Sequence, residues 1–451
     1  MKHEAAMMQS HPSMLGFMIG SDYWPDDRAA QIYVQTLREE ADWQNPILAA
    51  TNSYGYPELL GPSGMKEDGP YDRVSQNYWW YAAYGFGSEL GSGVGTPELG
   101  SLKKFLSAAD LQDLWKAPNK GLYHMAIDRS LFHDRSIYNQ GLYQRYGAPD
   151  SLEDYLLKAQ MMDYEATRAQ FEAYGAKWNA KRPAAGTIYW MLNNAWPSLH
   201  WNLFDYCLHP AGAYFGAKVG SRIEHVAYDS VKNTVWLINH SLNKTGPRTI
   251  GVDLIDLAGK VLSRSTISVT TQPNRSKSIG AGLEKNLVSD VALLKLVLND
   301  TNVLSRNVYW LSRKEDVLNF DNSTWYNTLV TSFANFAALN GMATADVKIV
   351  VQDGCGGSEK VGFVRKCVVL RNMANVPAVF VRLNLVDGTG QDVVPVFWSD
   401  NYLTLWPKEE LAVEVEYTRS ERGARIETSG KNLRSGKYQS LLYEGFTVVS
   451  T

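Results

Sequence analysis

The chain has 451 residues, with 44 Lys and Arg against 47 Asp and Glu and a formal charge of −3. At 45% hydrophobic and 20% charged it has the composition of a globular protein long enough for several domains. It has neither the basic run that nucleic acids and anionic membranes attract nor an apolar stretch long enough to span a bilayer.

In chain order, residues 1–22 lack the charged, apolar and small-residue regions of a secretory leader. Leu15–Gly20 is a strand-like run that ends in Ser21 and Asp22. Asp27–Asp42 is predicted helical, with Ile32, Leu37 and Ala41 on one face, and Pro46–Thr51 is strand-like. A long Gly-, Pro- and Tyr-rich loop follows, and Tyr84–Ser88 then leads into Glu89 and a Gly-rich turn. The clearest helix is Ser151–Trp178. Ser151 and Asp154 make a capping-box pattern there, and Tyr155, Ala159, Met162, Ala166 and Ala169 form a stripe. Thr187–Leu192 reads as a buried strand. Strands alternating with helices indicate a parallel sheet with crossovers, and four such strands are half of an eight-stranded barrel.

After Arg222 the pattern becomes all-β. Val226–Tyr228, Val235–Asn239, Gly251–Leu257, Val261–Ser268 and Ala292–Leu298 are short, β-branched runs between polar turns. A polar, Asn-rich stretch at Asn319–Asn327 intervenes. The pattern then resumes at Val347–Val351, Lys366–Arg371, Val379–Leu385, Tyr402–Leu405 and Leu411–Tyr417. Two β-sandwiches are expected, dividing the chain into 1–222, 223–345 and 346–451.

Nine Trp and 18 Tyr lie in residues 1–222, which is 27 of the 39 in the chain. Such an excess serves either a large aromatic core or a sugar cleft, because pyranose C–H faces pack on aromatic planes. Cys355 and Cys367 either pair across a hairpin, leaving Cys207 free, or all three cysteines stay reduced. Asn239, Asn243, Asn274, Asn299 and Asn322 head N-x-S/T sequons. They are either glycan acceptors of a secreted protein or unmodified surface asparagines.

Two carboxylates follow strand-like runs. Asp22 comes after LGFMIG and Glu89 after YGFGS, each flanked by small residues that permit close approach. A retaining glycosidase needs an acid/base carboxyl and a nucleophilic carboxylate about 5 Å apart. In a barrel both would stand at the C-terminal ends of strands. The alternative for each is an ordinary turn or helix-cap residue. Trp190 and Asn193 follow the last of the four strands, Trp190 as either a sugar platform or a core ring.

Seven collinear segments give the chain a family resemblance. They are HPSMLGFMIGSD (11–22), GPSGMKEDGPYD (61–72), NYWWY (77–81), FGSELGSG (86–93), RYGAPDSLEDYLLKAQMMDYEATRAQFEAY (145–174), IYWMLNNAWPSLHWNLFDY (188–206) and WSDNYLTLWPKEE (398–410). With these the chain resembles the exo-β-D-glucosaminidase branch of glycoside hydrolase family 2. The resemblance implies the C-terminal half of a (β/α)8 TIM barrel followed by two immunoglobulin-like β-sandwiches. It implies Glu89 as nucleophile and Asp22 as acid/base, the latter kept protonated by its proximity to Glu89. Ser21 and Asp22 match the Ser-Asp pair of this branch, where most of the family has Asn-Glu, and offer acceptors to a C2 ammonium. Trp190 would be the platform beside the cleaved sugar, with Tyr78, Trp79 and Asn193 as lining residues. The substrate would be chitosan or a glucosamine-containing oligosaccharide, with no cofactor or metal. The location would be extracellular or in the secretory pathway.

Two local departures stand out. Gly87 occupies the place of an Asn before the nucleophile, which would loosen the orientation of Glu89 or admit a water. YWPDD after Asp22 is more aromatic and acidic than usual. Family members also carry a jelly roll, a further sandwich and the first half of the barrel ahead of this point. The isolated chain is therefore expected to fold poorly or associate through an open sheet, with activity belonging to a longer parent. The competing readings are a β-mannosidase or endo-β-mannosidase type of hydrolase, which Ser-Asp disfavours, and a non-catalytic carbohydrate-binding remnant.

Overall fold

The computed structural model describes residues 1–51, 55–66, 69–93, 95–280, 289–353, 360–419, 423–434 and 440–441. Its first part is built on parallel pairing. β1 (Phe17–Met18) pairs with β2 (Ile47–Leu48), and β3 (Met65–Lys66), β4 (Gly85–Leu90) and β5 (Ala184–Tyr189) form a second parallel sheet in that order. β3 falls inside the segment expected to be a loop, because two residues leave no alternation to read. β5 starts at Ala184 rather than Thr187. Its opening Ala-Ala-Gly has little β propensity, yet the small residues are needed there, since a Cβ on Gly186 would meet the Phe86 ring at 2.9 Å.

The long helix spans Leu152–Lys177, and the Ser151 hydroxyl accepts from the Asp154 amide at 3.1 Å. Its expected apolar stripe is buried, but so are Lys158, Glu165, Arg168 and Glu172. Packed on several sides, the helix pairs these charges inside the protein, as burial of a charge requires. Glu165 accepts from Arg145 at 2.5 Å, and Arg145 also bonds Asp316 at 2.7 Å. Glu172 meets His225 at 2.9 Å, and Arg168 donates to Asn307 at 2.9 Å. Those contacts anchor the helix to the β-rich remainder of the chain. The first predicted helix is N-capped by Asp26, runs from Asp27 to Gln35 and widens into a π turn over Thr36–Glu40.

Seven strands follow: β6 (Glu224–Asp229), β7 (Thr234–Asn239), β8 (Gly246–Asp256), β9 (Val261–Thr271), β10 (Arg275–Ser278), β11 (Val291–Asn299) and β12 (Val303–Ser312). A β10-β7-β6 sheet faces a β12-β11-β8-β9 sheet. Val226 and Leu237 of the first pack with Leu254, Leu294 and Tyr309 of the second in one core. A hairpin of β13 (Val317–Asn319) and β14 (Leu329–Ser332) leads on. The last eight strands are β15 (Val347–Asp353), β16 (Phe363–Asn372), β17 (Ala378–Val386), β18 (Val396–Trp398), β19 (Leu403–Leu405), β20 (Glu410–Thr418), β21 (Arg425–Ser429) and β22 (Ser440–Leu441). They form sheets β15-β16-β20-β18 and β19-β17-β21-β22. Their shared core is continuous with the long helix, where the Tyr164 ring lies 5.7 Å from that of Phe380.

Asn239, the first sequon residue, is fully buried. Its amide donates to the Lys244 carbonyl at 2.9 Å, the Thr271 hydroxyl at 3.1 Å and the Gln272 carbonyl at 2.9 Å. It is a structural brace, not a surface acceptor. Cys367 is disulfide-bonded and Cys207 is free, whereas Cys355 lies outside the described residues. Among the described residues no helix is long and apolar enough to cross a membrane.

Candidate active site

Asp22 is held past the end of β1 by hydrogen bonds that continue beyond the strand. Ile19 donates to the Leu48 carbonyl at 3.0 Å, and the Thr51 amide and hydroxyl both donate to the Ser21 carbonyl, at 2.9 and 2.7 Å. At Gly20, before Ser21, the backbone is too tight for a side chain: a Cβ there would meet the Tyr23 and Ala49 carbonyl oxygens at 2.4 and 2.8 Å. The Ser21 hydroxyl donates to Asp22 Oδ1 at 3.1 Å, and the Asp22 side chain is exposed.

Glu89 stands near the end of β4, half-buried, and its Oε1 accepts from the Tyr71 hydroxyl at 2.8 Å. Burial raises its pKa, the Tyr71 hydrogen bond opposes the rise, and the negative charge of Asp22 adds to it. The structure therefore brings the two candidate carboxylates within electrostatic reach, although Asp22 lies in the loop past β1 and Glu89 in β4. The upward shift on Glu89 follows chiefly from its partial withdrawal from water.

Gly87 faces away from this space. A Cβ there would meet Leu90 Cδ1 at 2.2 Å and the Tyr174 hydroxyl at 3.0 Å, so the position looks into the packing between β4 and the long helix. A bulge in the β4–β5 pairing between Gly87 and Leu90 breaks the alternation that would put residues 87 and 89 on one face. The loosened orientation expected of Glu89 from a missing amide therefore has no basis in the structure.

Trp190 lies just past β5, where its amide donates to the Leu90 carbonyl at 2.8 Å and its ring is 36% exposed. Asn193 is exposed in the loop that follows. Tyr78 and Trp79 are elsewhere. The helix Gln76–Ala82 turns both inward, 6% and 0% exposed, where they pack with Leu90 and Tyr174. They support the back of β4 and do not line an open cleft, a correction to their expected role. The ring of the NYWWY run that this helix turns to solvent is Tyr81, 56% exposed, because Tyr78, Trp79 and Trp80 take the core face.

Sequence reasoning missed Tyr71 and the rings that hold it. The Trp201 indole donates to the Tyr71 carbonyl at 2.6 Å, and the Tyr71 ring lies 6.2 Å from Phe132, 6.0 Å from Trp201 and 5.7 Å from Trp325. The next residue, Asp72, is buried, and burial raises its carboxyl to about 6 against the attraction of Arg135 and Arg73. The only hint was the GPYD segment, where a tyrosine directly follows a Gly-Pro turn. Among the described residues no group of three His, Cys, Asp or Glu is placed to hold a metal ion.

Two family models match the β-rich part of the chain. The exo-β-D-glucosaminidase Ig-fold domain covers residues 325–433, and the mannosidase Ig/CBM-like domain covers 232–314. The exo-β-D-glucosaminidase of Hypocrea jecorina is 56% identical over 447 residues, which is 96% of this chain and 50% of that protein. That of Amycolatopsis orientalis is 35% identical over 447 residues, 95% of this chain and 43% of the relative. The solved exo-chitosanase of Amycolatopsis orientalis in complex with p-nitrophenyl β-D-glucosamine matches with a TM-score of 0.89 at 33% identity, covering 98% of this chain and 53% of that one. A β-D-mannosidase from Dictyoglomus thermophilum, 15% identical with a TM-score of 0.68, shares the fold. The chain thus spans about half the length of the curated relatives it matches. With identity sustained across 96% of its residues, the chain belongs to the exo-β-D-glucosaminidase branch of glycoside hydrolase family 2.

Proposed function

We propose that this chain carries the catalytic pair of a retaining exo-β-D-glucosaminidase, an enzyme that removes β-1,4-linked D-glucosamine from the non-reducing ends of chitosan oligomers. The observation that carries this reading is the electrostatic coupling of Asp22, past the end of β1, to Glu89 in β4, with Tyr71 bonded to Glu89. Glu89 attacks the anomeric carbon while Asp22 protonates the departing glycosidic oxygen. Water then hydrolyses the glycosyl-enzyme with Asp22 as base. The nucleophile must be ionised, and Tyr71 favours that form. A glucosaminide brings its own assistance. Its C2 ammonium places a positive charge beside the pair and opposes the like-charge repulsion that raises Glu89.

In this reading residues 1–222 are the C-terminal half of a (β/α)8 barrel, and 223–345 and 346–451 are the two immunoglobulin-like sandwiches. The parallel order of β1 with β2 and of β3, β4 and β5 supports the first assignment. Ser21, Trp190 and Asn193 are the substrate-binding residues of the portion described, and no cofactor takes part. The protein works outside the cell or in the secretory pathway. The disulfide at Cys367 supports an oxidising compartment.

The stereochemical course tests the mechanism. Proton NMR of glucosamine oligomers undergoing hydrolysis shows the β-anomer of glucosamine first. The α-anomer appearing first would overturn the double displacement.

A further inference from the structure

Beyond the catalytic pair, one exposed aromatic stands at the edge of the site and comes from an unexpected part of the chain. Trp325 lies in the connection between β13 and β14, the Asn-rich stretch that reads as a mere linker in sequence. Its ring is 5.7 Å from Tyr71, whose hydroxyl bonds Glu89. Of the three rings around Tyr71, Phe132 and Trp201 are half-buried and Trp325 is 50% exposed.

The connection is held in place against the catalytic strands. The Asp72 amide donates to the Tyr326 carbonyl at 3.1 Å, so the backbone next to Trp325 is tied to the residue next to Tyr71. A Cβ on Gly69 would meet the Trp325 carbonyl oxygen at 2.9 Å, which shows how closely the two segments approach. Within the turn, the Thr324 amide donates to the Asn327 carbonyl at 3.0 Å and the Asn327 amide to the Thr324 hydroxyl at 3.2 Å. The ring also meets Phe132 edge-on at 5.9 Å. A flat indole that is both pinned and wet is what a pyranose face needs, since little ordering entropy remains to oppose the stacking.

We infer that Trp325 is the platform for a second sugar ring, the one adjoining the glucosamine held at Glu89. The inference rests on the glucosaminidase reading and adds a subsite to it. Tyr71 contacts both Trp325 and Glu89, so the indole serves a ring next to the one held at Glu89. The β13–β14 connection, outside the parallel-strand part, thereby contributes to oligomer recognition.

The test is calorimetric binding of glucosamine monomer and trimer to a chimera in which this chain, carrying Glu89→Gln to bind without turnover, replaces the matching half of the Hypocrea jecorina relative, with Trp325→Ala and Trp325→Phe added separately. Removing the indole weakens the trimer about tenfold, equivalent to about 1.4 kcal/mol of ring contact, and leaves the monomer unchanged. Trp325→Phe recovers most of the loss. Equal weakening of monomer and trimer would show that Trp325 acts through Tyr71 and would overturn the platform. Unchanged trimer binding would do the same while leaving the glucosaminidase reading intact. A parent chimera that binds neither ligand would remove that reading and this inference together.

Discussion

The Tyr71 hydroxyl donates to Oε1 of Glu89 at 2.8 Å, which makes a phenol the immediate partner of the candidate nucleophile. That bond favours the carboxylate, while burial and the charge of Asp22 favour the acid. Tyr71→Phe removes the opposing effect, so the pKa of Glu89 rises further. The acidic limb of the kcat/KM profile then moves to higher pH, and kcat falls about tenfold on the acid side. An unshifted limb would show that Tyr71 does not govern the ionisation of Glu89.

Asp72 supplies a stability test. Its carboxyl is raised from 3.8 to about 6, with burial the largest cause. An acid raised in the folded state contributes fully below its unfolded pKa, and that contribution is lost as pH rises through about 6. Asp72→Asn keeps an acceptor for the Arg73 amide, now at 2.8 Å, and has no charge to desolvate. Urea unfolding at pH 4 and pH 7 shows the variant gaining on the parent by up to about 3 kcal/mol at the higher pH. A pH-independent difference would contradict the assignment.

Gly87→Asn restores the residue usual in this branch and would help if the site lacked an amide. The structure predicts harm, because the new Cβ meets Leu90 and Tyr174 in packed surroundings. Thermal denaturation registers a loss of about 1–3 kcal/mol, with no gain in kcat. Higher activity would mean that residue 87 faces the substrate.

The five sequons separate by what their amides already do. Asn239 is buried with three acceptors, while Asn243 and Asn322 are exposed. Peptide mapping of protein secreted from a eukaryotic host finds glycan at Asn243 and Asn322 and none at Asn239. Asn239→Ala costs about 1–3 kcal/mol, because buried acceptors lose their donor. Glycan on Asn239 in folded protein would refute the brace.

Much of the architecture was legible because it depends on local pattern. The capped helix after Ser151 and the alternating strands from Glu224 onward follow from side-chain period and turn residues. Asp22 and Glu89 were legible for a different reason: each ends an apolar run among small residues. Tyr78 and Trp79 misled because aromatic content does not reveal which way a short helix faces. Tyr71 and Trp325 were hidden because both sit in segments without period. Their roles arise only when the Tyr326 carbonyl meets the Asp72 amide, a contact between residues far apart in sequence.

The central claim is that Glu89 performs nucleophilic catalysis on a β-D-glucosaminide. It is tested most directly in a chimera in which this chain replaces the matching half of the Hypocrea jecorina relative, assayed on p-nitrophenyl β-D-glucosaminide with and without Glu89→Gln. The account predicts turnover by the chimera and a fall in kcat of about four orders of magnitude in the variant. Comparable turnover in both, or none in either, would contradict it.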